Sequence, residues 1–307
     1  MKRLVKTVST EARPQIGILG GSGLYQMEGL SEVKAVAVST PFGKPSGKLM
    51  TGKLNGIPVV FLPRHGVGHT ILPSEINYRA NIYALKKMGV TAIVSVSAVG
   101  SMKENIAPGH MVVPDQFYDL TKGRKSTFFG NGIVAHVSFA DPICPELSKT
   151  IADAAKSGGA TVHKGGTYLC MEGPQFSSRA ESEVHRSWGV SVIGMTNATE
   201  AKLAREAEIC YVTLALSTDY DCWHISEKPV TSEMVIKVLL ANVAMSKKII
   251  AAAIGQIKTN RACRCQTSLK NAIVTDISLV PNKTRKDLGI FLAAEVVPQK
   301  YSKGVKK

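Results

Sequence analysis

Two carboxylates stand two residues apart in Ser217-Thr218-Asp219-Tyr220-Asp221-Cys222-Trp223, directly after an apolar run that reads as a fully buried strand. A buried carboxyl group must be paired, or it keeps its proton. Two such acids suit work at a glycosidic bond, one donating a proton while the other activates water. Bracing a loop or capping a helix is the plainer use of either aspartate. A second candidate is Arg64-His65-Gly66, which fixes a guanidinium at the end of another apolar run. Burial there demands an anion, either a structural carboxylate or an oxyanion ligand. His69 follows His65 at the spacing of a helical zinc pair, but the glutamate of an HExxH motif is missing and glycines interrupt the segment. No metal is therefore expected there.

Three further segments offer backbone amides and hydroxyls to an anion. Gly20-Gly21-Ser22-Gly23-Leu24 is a flexible turn after the first strand. It lacks the third glycine of a dinucleotide motif and the lysine of a P-loop. Ser97-Ala98-Val99-Gly100-Ser101 closes the third strand with small residues, and Met195-Thr196 follows another apolar run. Phe176, in the loop Glu172–Glu181, is either core or a ring on which a flat base can stack.

Such groups need a frame that brings strand ends together. Val- and Ile-rich runs alternate with stretches of helical period, which indicates an α/β fold. The spacing predicts strands at Gln15–Leu19, Pro58–Leu62, Ala92–Val96, Met111–Val113, Ser191–Gly194 and Ile209–Leu216. Helices are predicted at Tyr78–Met88, Glu146–Ala155, Ser178–Trp188 and Ser232–Ile254. Ser178 followed by Glu181 is the spacing of a capping box, which fixes one helix start. In sheets of this kind, ligands sit beyond the carboxyl ends of the strands.

With 307 residues, 44% of them apolar and 20% charged, the chain can close one large core. Residues 15–281 read as one domain, between a basic tail at 1–14 and a basic extension at 282–307. Residues 1–14 and 257–307 carry +3 and +8 of the net charge of +15. They carry little of the aromatic interleaving that base stacking requires, so no nucleic-acid partner is expected. No apolar run is long enough for a membrane helix and the N-terminus lacks a signal-like stretch, so a cytoplasmic protein without a membrane partner is expected. The six cysteines read as reduced thiols, and the close pair Cys263 and Cys265 as two ordinary ones, since neither a CxxC motif nor a histidine lies near them in sequence.

Taken together, Gly17–Leu24, Thr40–Ser46, Arg64-His65-Gly66, His69-Thr70, Glu172–Ser182, Met195-Thr196 and Thr218–Trp223 resemble, in order and spacing, the methylthioadenosine-cleaving branch of the trimeric purine nucleoside phosphorylase family. The resemblance implies a single-domain nucleoside-phosphorylase fold, a mixed twisted sheet flanked by helices. It implies that inorganic phosphate is a co-substrate held by Ser22, Arg64, His65, Ser97, Ala98 and Thr196, with no metal or organic cofactor. It implies that Asp219 and Asp221 face the base edge, that Phe176 packs on the purine, and that Met195 lies under the ribose. His69, Ser232, Val235, His136 and Leu279 complete the nucleoside site, the last two supplied across the interface of a homotrimer. Relatives that prefer 6-oxopurines have Asn at the position of Asp219, so the aspartate implies adenine. Three departures stand out: Ser22 and Ser97 replace threonines, Thr199 replaces a proline and is expected to loosen a loop, and Ser232 replaces an apolar residue beside the 5' substituent. The last leads to an expectation of activity on adenosine as well.

Overall fold

The computed structural model describes residues 16–224, 232–258 and 261–292, without the side chains of Ser22 and residues 232–236. The first half of the chain forms β1 (Ile16–Gly20), β2 (Leu30–Val36), β3 (Leu49–Leu54), β4 (Ile57–Pro63), α1 (Tyr78–Lys87), β5 (Ala92–Ser101), β6 (Met111–Val113), β7 (Gln116–Asp119) and α2 (Pro145–Ser157). The second half forms β8 (Val162–Lys164), β9 (Thr167–Cys170), α3 (Arg179–Ser187), β10 (Val192–Gly194), α4 (Asn197–Glu206), β11 (Cys210–Asp219), α5 (Ser232–Ile254), α6 (Asn282–Asp287) and α7 (Gly289–Leu292).

The strands make one mixed sheet in the order β2-β3-β4-β1-β5-β10-β9-β7, and β11 joins β5 to β6 and β8. β1 runs parallel to both β4 and β5, and β11 is parallel to β5, so four carboxyl ends point the same way. Their side chains are buried on both faces, which explains why these runs lack polar alternation. Strand β5 continues to Ser101, past the end expected at Val96, because β11 pairs with it as far as Gly100. β10 enters antiparallel to that extension, with Ile193 opposite Gly100. The chain leaving β10 therefore turns back alongside Ala98 and Ser97, and this return brings Met195-Thr196 to the other strand ends.

The predicted helices form within a few residues of their expected limits. α3 carries the capping box: Ser178 Oγ accepts from the Glu181 N–H, and the Glu181 carboxylate accepts from the Ser178 N–H. Helix α4 and the antiparallel pair β2-β3 were not expected. β2 is a largely exposed edge strand, and its mixed composition hides it. The boundary drawn by charge at Pro281 is not a boundary of the fold: α6 and α7 return to the core, where Leu288, Phe291 and Leu292 are buried and Phe291 packs 4.5 Å from Phe128, ring centre to ring centre. Among the described residues no helix is long and apolar enough to cross a membrane. The pair Cys263 and Cys265 is not isolated either, since Cys144 and Cys210 lie beside it.

Glu206, the last residue of α4, is buried and accepts from Thr127 Oγ1 and the Phe128 N–H, each at 2.7 Å. Burial outweighs these bonds and lifts its pKa from 4.5 to about 7. Because the folded value lies above the ordinary one, the folded chain holds this proton more tightly. The resulting stabilisation is full at acid pH and is lost as pH rises through about 7. Glu206→Gln removes this dependence, so its urea-unfolding free energy should gain on the parent's between mildly acid and mildly alkaline buffer.

Candidate active site

The carboxyl ends of β1, β4, β5 and β11 open into a cavity of about 470 Å³, and both Arg64 and Asp219 line it. Gly21 and Gly23, Arg64, His65, Ser97, Ala98 and Thr196 line it together, so the three segments suited to an anion, far apart in sequence, converge. Ser97 and Gly100 lie three residues apart on β5, about 10 Å of strand at ~3.3 Å per residue. That span separates the polar cluster around Ser97 from Asp219, which pairs with Gly100. A wider depression of about 660 Å³, where Arg186 stacks on Trp223, contains none of these strand-end residues.

Arg64 is buried because β4 delivers it beneath α4. Its Nε donates to Glu200 Oε1 at 2.5 Å and its Nη2 to Glu200 Oε2 at 3.1 Å, a bidentate pair at 3% and 2% side-chain exposure. Nη2 also reaches Ser95 Oγ at 2.5 Å and Nη1 reaches the Val96 carbonyl at 2.9 Å. Burial by itself lowers the guanidinium pKa, but Glu200 outweighs it and holds Arg64 charged. Of five N–H donors, one on Nη1 is left without an acceptor among the described residues. Of the two readings of Arg64, the structural salt bridge is therefore made, and it leaves one N–H over. Asn197 carries the network onward: it donates to Ser95 Oγ at 3.2 Å and accepts from Thr196 Oγ1 at 2.9 Å. Thr196 is the N-cap of α4, so the positive end of that helix meets the cavity.

His65 hydrogen-bonds the Ile71 carbonyl through Nδ1 at 2.9 Å, which makes Nδ1 the protonated nitrogen of the neutral ring. Burial, then the neighbouring Arg64 charge, lowers its pKa to about 4. The ring is therefore neutral near pH 7, and its Nε2 is an acceptor. His69 stacks on it, with centroids 4.2 Å apart.

Asp219 is placed by a bulge. Pairing of β11 with β5 slips between Ser217 and Asp219, and Asp219 comes to lie opposite Gly100. A β-carbon at Gly100 would stand 3.1 Å from Asp219 Oδ1, tighter than ordinary contact, so glycine eases the close approach. Thr218 Oγ1 donates to Oδ2 at 2.6 Å and the Asp221 N–H to Oδ1 at 2.8 Å. Burial, helped by the Asp221 charge, nevertheless pushes the carboxyl above the usual range. Asp221 has φ +54°, and its Oδ2 accepts from Ser182 Oγ on α3 at 2.5 Å. Both acids line the cavity but are differently employed: Asp219 has a raised pKa, and Asp221 is anchored to a helix.

Phe176 is 74% exposed and lines the cavity, so the core reading of this ring does not hold. Met195 lines it too, its carbonyl held by Arg124 Nη1 at 2.5 Å. Arg124 also binds Glu172, through Nε to Oε1 at 2.8 Å and Nη2 to the carbonyl at 2.7 Å, and so fixes the Glu172 loop against the end of β10. Sequence reasoning missed Arg124, Ser95, Asn197 and Tyr168, whose hydroxyl donates to Asn197 Oδ1 at 3.4 Å. Arg124 sits in a run of basic residues where nothing marks one cation as buried. Thr199, expected in a loop, is buried within α4. His136 and Leu279 are exposed, and neither lines the cavity of their own chain. The side chains of Ser22, Ser232 and Val235 lie outside the described ones; on α5, Leu239 and Val243 reach the cavity.

These features define an α/β protein whose cleft gathers a buried guanidinium, strand-end hydroxyls and a helix amino end, with a carboxyl group and an exposed aromatic ring on its walls. The sequence pattern of the phosphorylase superfamily matches residues 15–255. The chain is 58% identical to S-methyl-5'-thioadenosine phosphorylase of Geobacter sulfurreducens over 282 residues, which is 92% of this chain and 99% of that one. A methylthioadenosine phosphorylase from an Antarctic soil metagenomic library superposes with a TM-score of 0.88 at 48% identity, covering 92% of this chain and 100% of its own. A mutant adenosine/methylthioadenosine phosphorylase of Schistosoma mansoni, solved with methylthioadenosine, gives 0.75 at 33%, covering 91% and 98%. The chain belongs to the phosphorylase superfamily.

Glu200→Gln leaves a fully buried guanidinium without its counter-charge. Losing one partner of such a pair costs on the order of 3–5 kcal/mol. Urea denaturation of the variant should show a loss of that size, and an unchanged midpoint would contradict the role given to this pair.

Proposed function

We propose that the protein cleaves 5'-methylthioadenosine with inorganic phosphate, giving adenine and 5-methylthioribose 1-phosphate; it is a pentosyltransferase of purine and methionine salvage. The observation that carries this is the single cavity shared by Arg64 and Asp219. Phosphate sits among Arg64, His65, Ser97, Ala98 and Thr196, with Ser22 from the neighbouring turn. The free Nη1 hydrogen, the hydroxyls and the α4 terminus hold its charge. The neutral His65 ring accepts from a protonated phosphate oxygen rather than donating.

Breaking the glycosidic bond leaves positive charge on the ribose and negative charge on the purine. The bound dianion stabilises the first and attacks the anomeric carbon. Asp219, whose protonated form burial favours, donates from that form to purine N7 as the electron pair moves into the ring, and its other oxygen accepts from the 6-amino group. Asp221, held by Ser182, braces Asp219 through its backbone N–H. Phe176 covers the purine, and Met195 and His69 flank the ribose. A 6-oxopurine brings a carbonyl oxygen against a carboxyl oxygen, which disfavours the alternative of a broader purine specificity. The sugar's 5' substituent extends toward α5, where Leu239 and Val243 are joined at helical spacing by positions 232 and 235. A serine at 232 forfeits an apolar contact worth only about 1–3 kcal/mol, so adenosine is also turned over. His136 and Leu279, exposed on their own subunit, serve the neighbouring site in a cytoplasmic homotrimer. The reaction uses phosphate and no other cofactor.

Release of free adenine from methylthioadenosine should require phosphate; release at equal rate without it would indicate a hydrolase. In the same assay adenosine should be turned over, and a preference on the order of a thousand or more for methylthioadenosine would refute the reading of Ser232. Because the protonated form of Asp219 is the active one, kcat should fall as pH rises through its elevated pKa. Asp219→Asn should lower kcat on methylthioadenosine by about 10²–10⁴-fold, abolish that alkaline fall and raise relative turnover of inosine; retention of the parent's pH profile would discredit Asp219 as the donor.

A further inference from the structure

Far from the cavity, four cysteines meet. Cys210 is the first residue of β11 and Asp219 the last, so the cluster lies about 30 Å of strand away at ~3.3 Å per residue. Cys144 is the N-cap of α2, while Cys263 and Cys265 flank Arg264 at the start of a short helical turn. The four sulfurs all lie within 4.8 Å of one another, and Cys210 and Cys263 are 3.3 Å apart. Cys144, Cys210 and Cys265 are buried, and Cys263 is partly so. We propose that Cys144, Cys210, Cys263 and Cys265 form a four-thiolate site for one structural zinc ion.

The geometry is that of a tetrahedral site rather than of two disulfides. Zinc with four sulfurs at about 2.3 Å requires the sulfurs to stand about 3.8 Å from each other. A pair of disulfides requires two contacts near 2 Å and sorts the thiols into couples; here one bound covers every pair. Four thiolates around a dication leave two negative charges, and the surroundings complement them. Arg261, itself buried, donates from Nε to Cys210 Sγ at 3.2 Å and anchors its Nη2 on the Thr91 carbonyl at 3.0 Å. The amino end of the 13-residue α2, with proline in its first turn, lies at Cys144. Each thiol gives up its proton as it takes the metal. The ion ties the segment after α5 to β11 and α2, at no cost in chemistry to the cavity.

The test is the metal content of the full chain, purified in reductant without added metal. Elemental analysis should find about one zinc per chain, released by a thiol-binding mercurial. Cobalt exchanged into the site should give the intense visible bands and sulfur-to-metal charge transfer of tetrahedral thiolate coordination. Cys263→Ser with Cys265→Ser should lose the zinc, whereas Cys222→Ser should keep it. If the double variant does not fold, the zinc content and cobalt spectrum of the parent chain still decide. Zinc retained by the double variant overturns the proposal. So does a reduced parent chain that neither contains zinc nor takes up cobalt, or an unreduced chain whose intact mass shows these cysteines joined in two disulfides.

Discussion

The buried ion pair of Arg64 with Glu200 is the constraint on which the rest of the cavity rests. A guanidinium cannot remain at a dry strand end without an anion, and a carboxylate cannot remain under α4 without a cation. Joining them fixes β4 to α4 across the sheet; Ser95 and Tyr211 donate to the Glu200 carboxylate, and Asn197 donates in turn to Ser95. Because Glu200 takes two of the five Arg64 donors and Ser95 and Val96 one each, the charge is oriented before any ligand arrives. That is preorganisation: the donor left over is aimed by bonds that do not change during the reaction.

At the other end of the cavity the same economy uses backbone. An extra residue in β11 brings the Asp219 carboxyl opposite Gly100, where the absence of a β-carbon leaves it room. Burial raises its pKa while two short donors keep its orientation. An exposed aspartate would lack that desolvation and keep the ordinary, lower value. The contrast with Asp221 comes from partners, not from residue type: a hydroxyl on α3 claims its carboxylate. Arg124 does for the loop walls what Glu200 does for the floor, tying Glu172 and Met195 so that Phe176 stays exposed over the opening.

Much of this was legible in the sequence. Runs of Val and Ile bounded by Gly, Ser and Thr marked the central strands, because a strand covered on both faces has no use for polar alternation. Motif order marked Arg64, Ser97, Thr196 and Asp219 as candidates and set Phe176 beside them. The edge strand β2 and helix α4 escaped, the first for want of a buried face and the second because its burial on all sides erases the helical stripe. Cys263 and Cys265 were read as ordinary thiols since their neighbours, Cys144 and Cys210, lie more than fifty residues back.

What the sequence by itself determined was local: which segments are strands, where the caps fall, and which residue types stand at strand ends. Those properties depend on neighbours within a few residues, through periodicity and backbone preference. Only the tertiary structure decided which strand ends share a cavity, that Arg64 pairs with Glu200 and still keeps one N–H over, that burial raises the Asp219 pKa while Ser182 claims the Asp221 carboxylate, and that four scattered thiols converge. Each of these depends on burial and on the distance between charges, quantities that exist only once the sheet has closed.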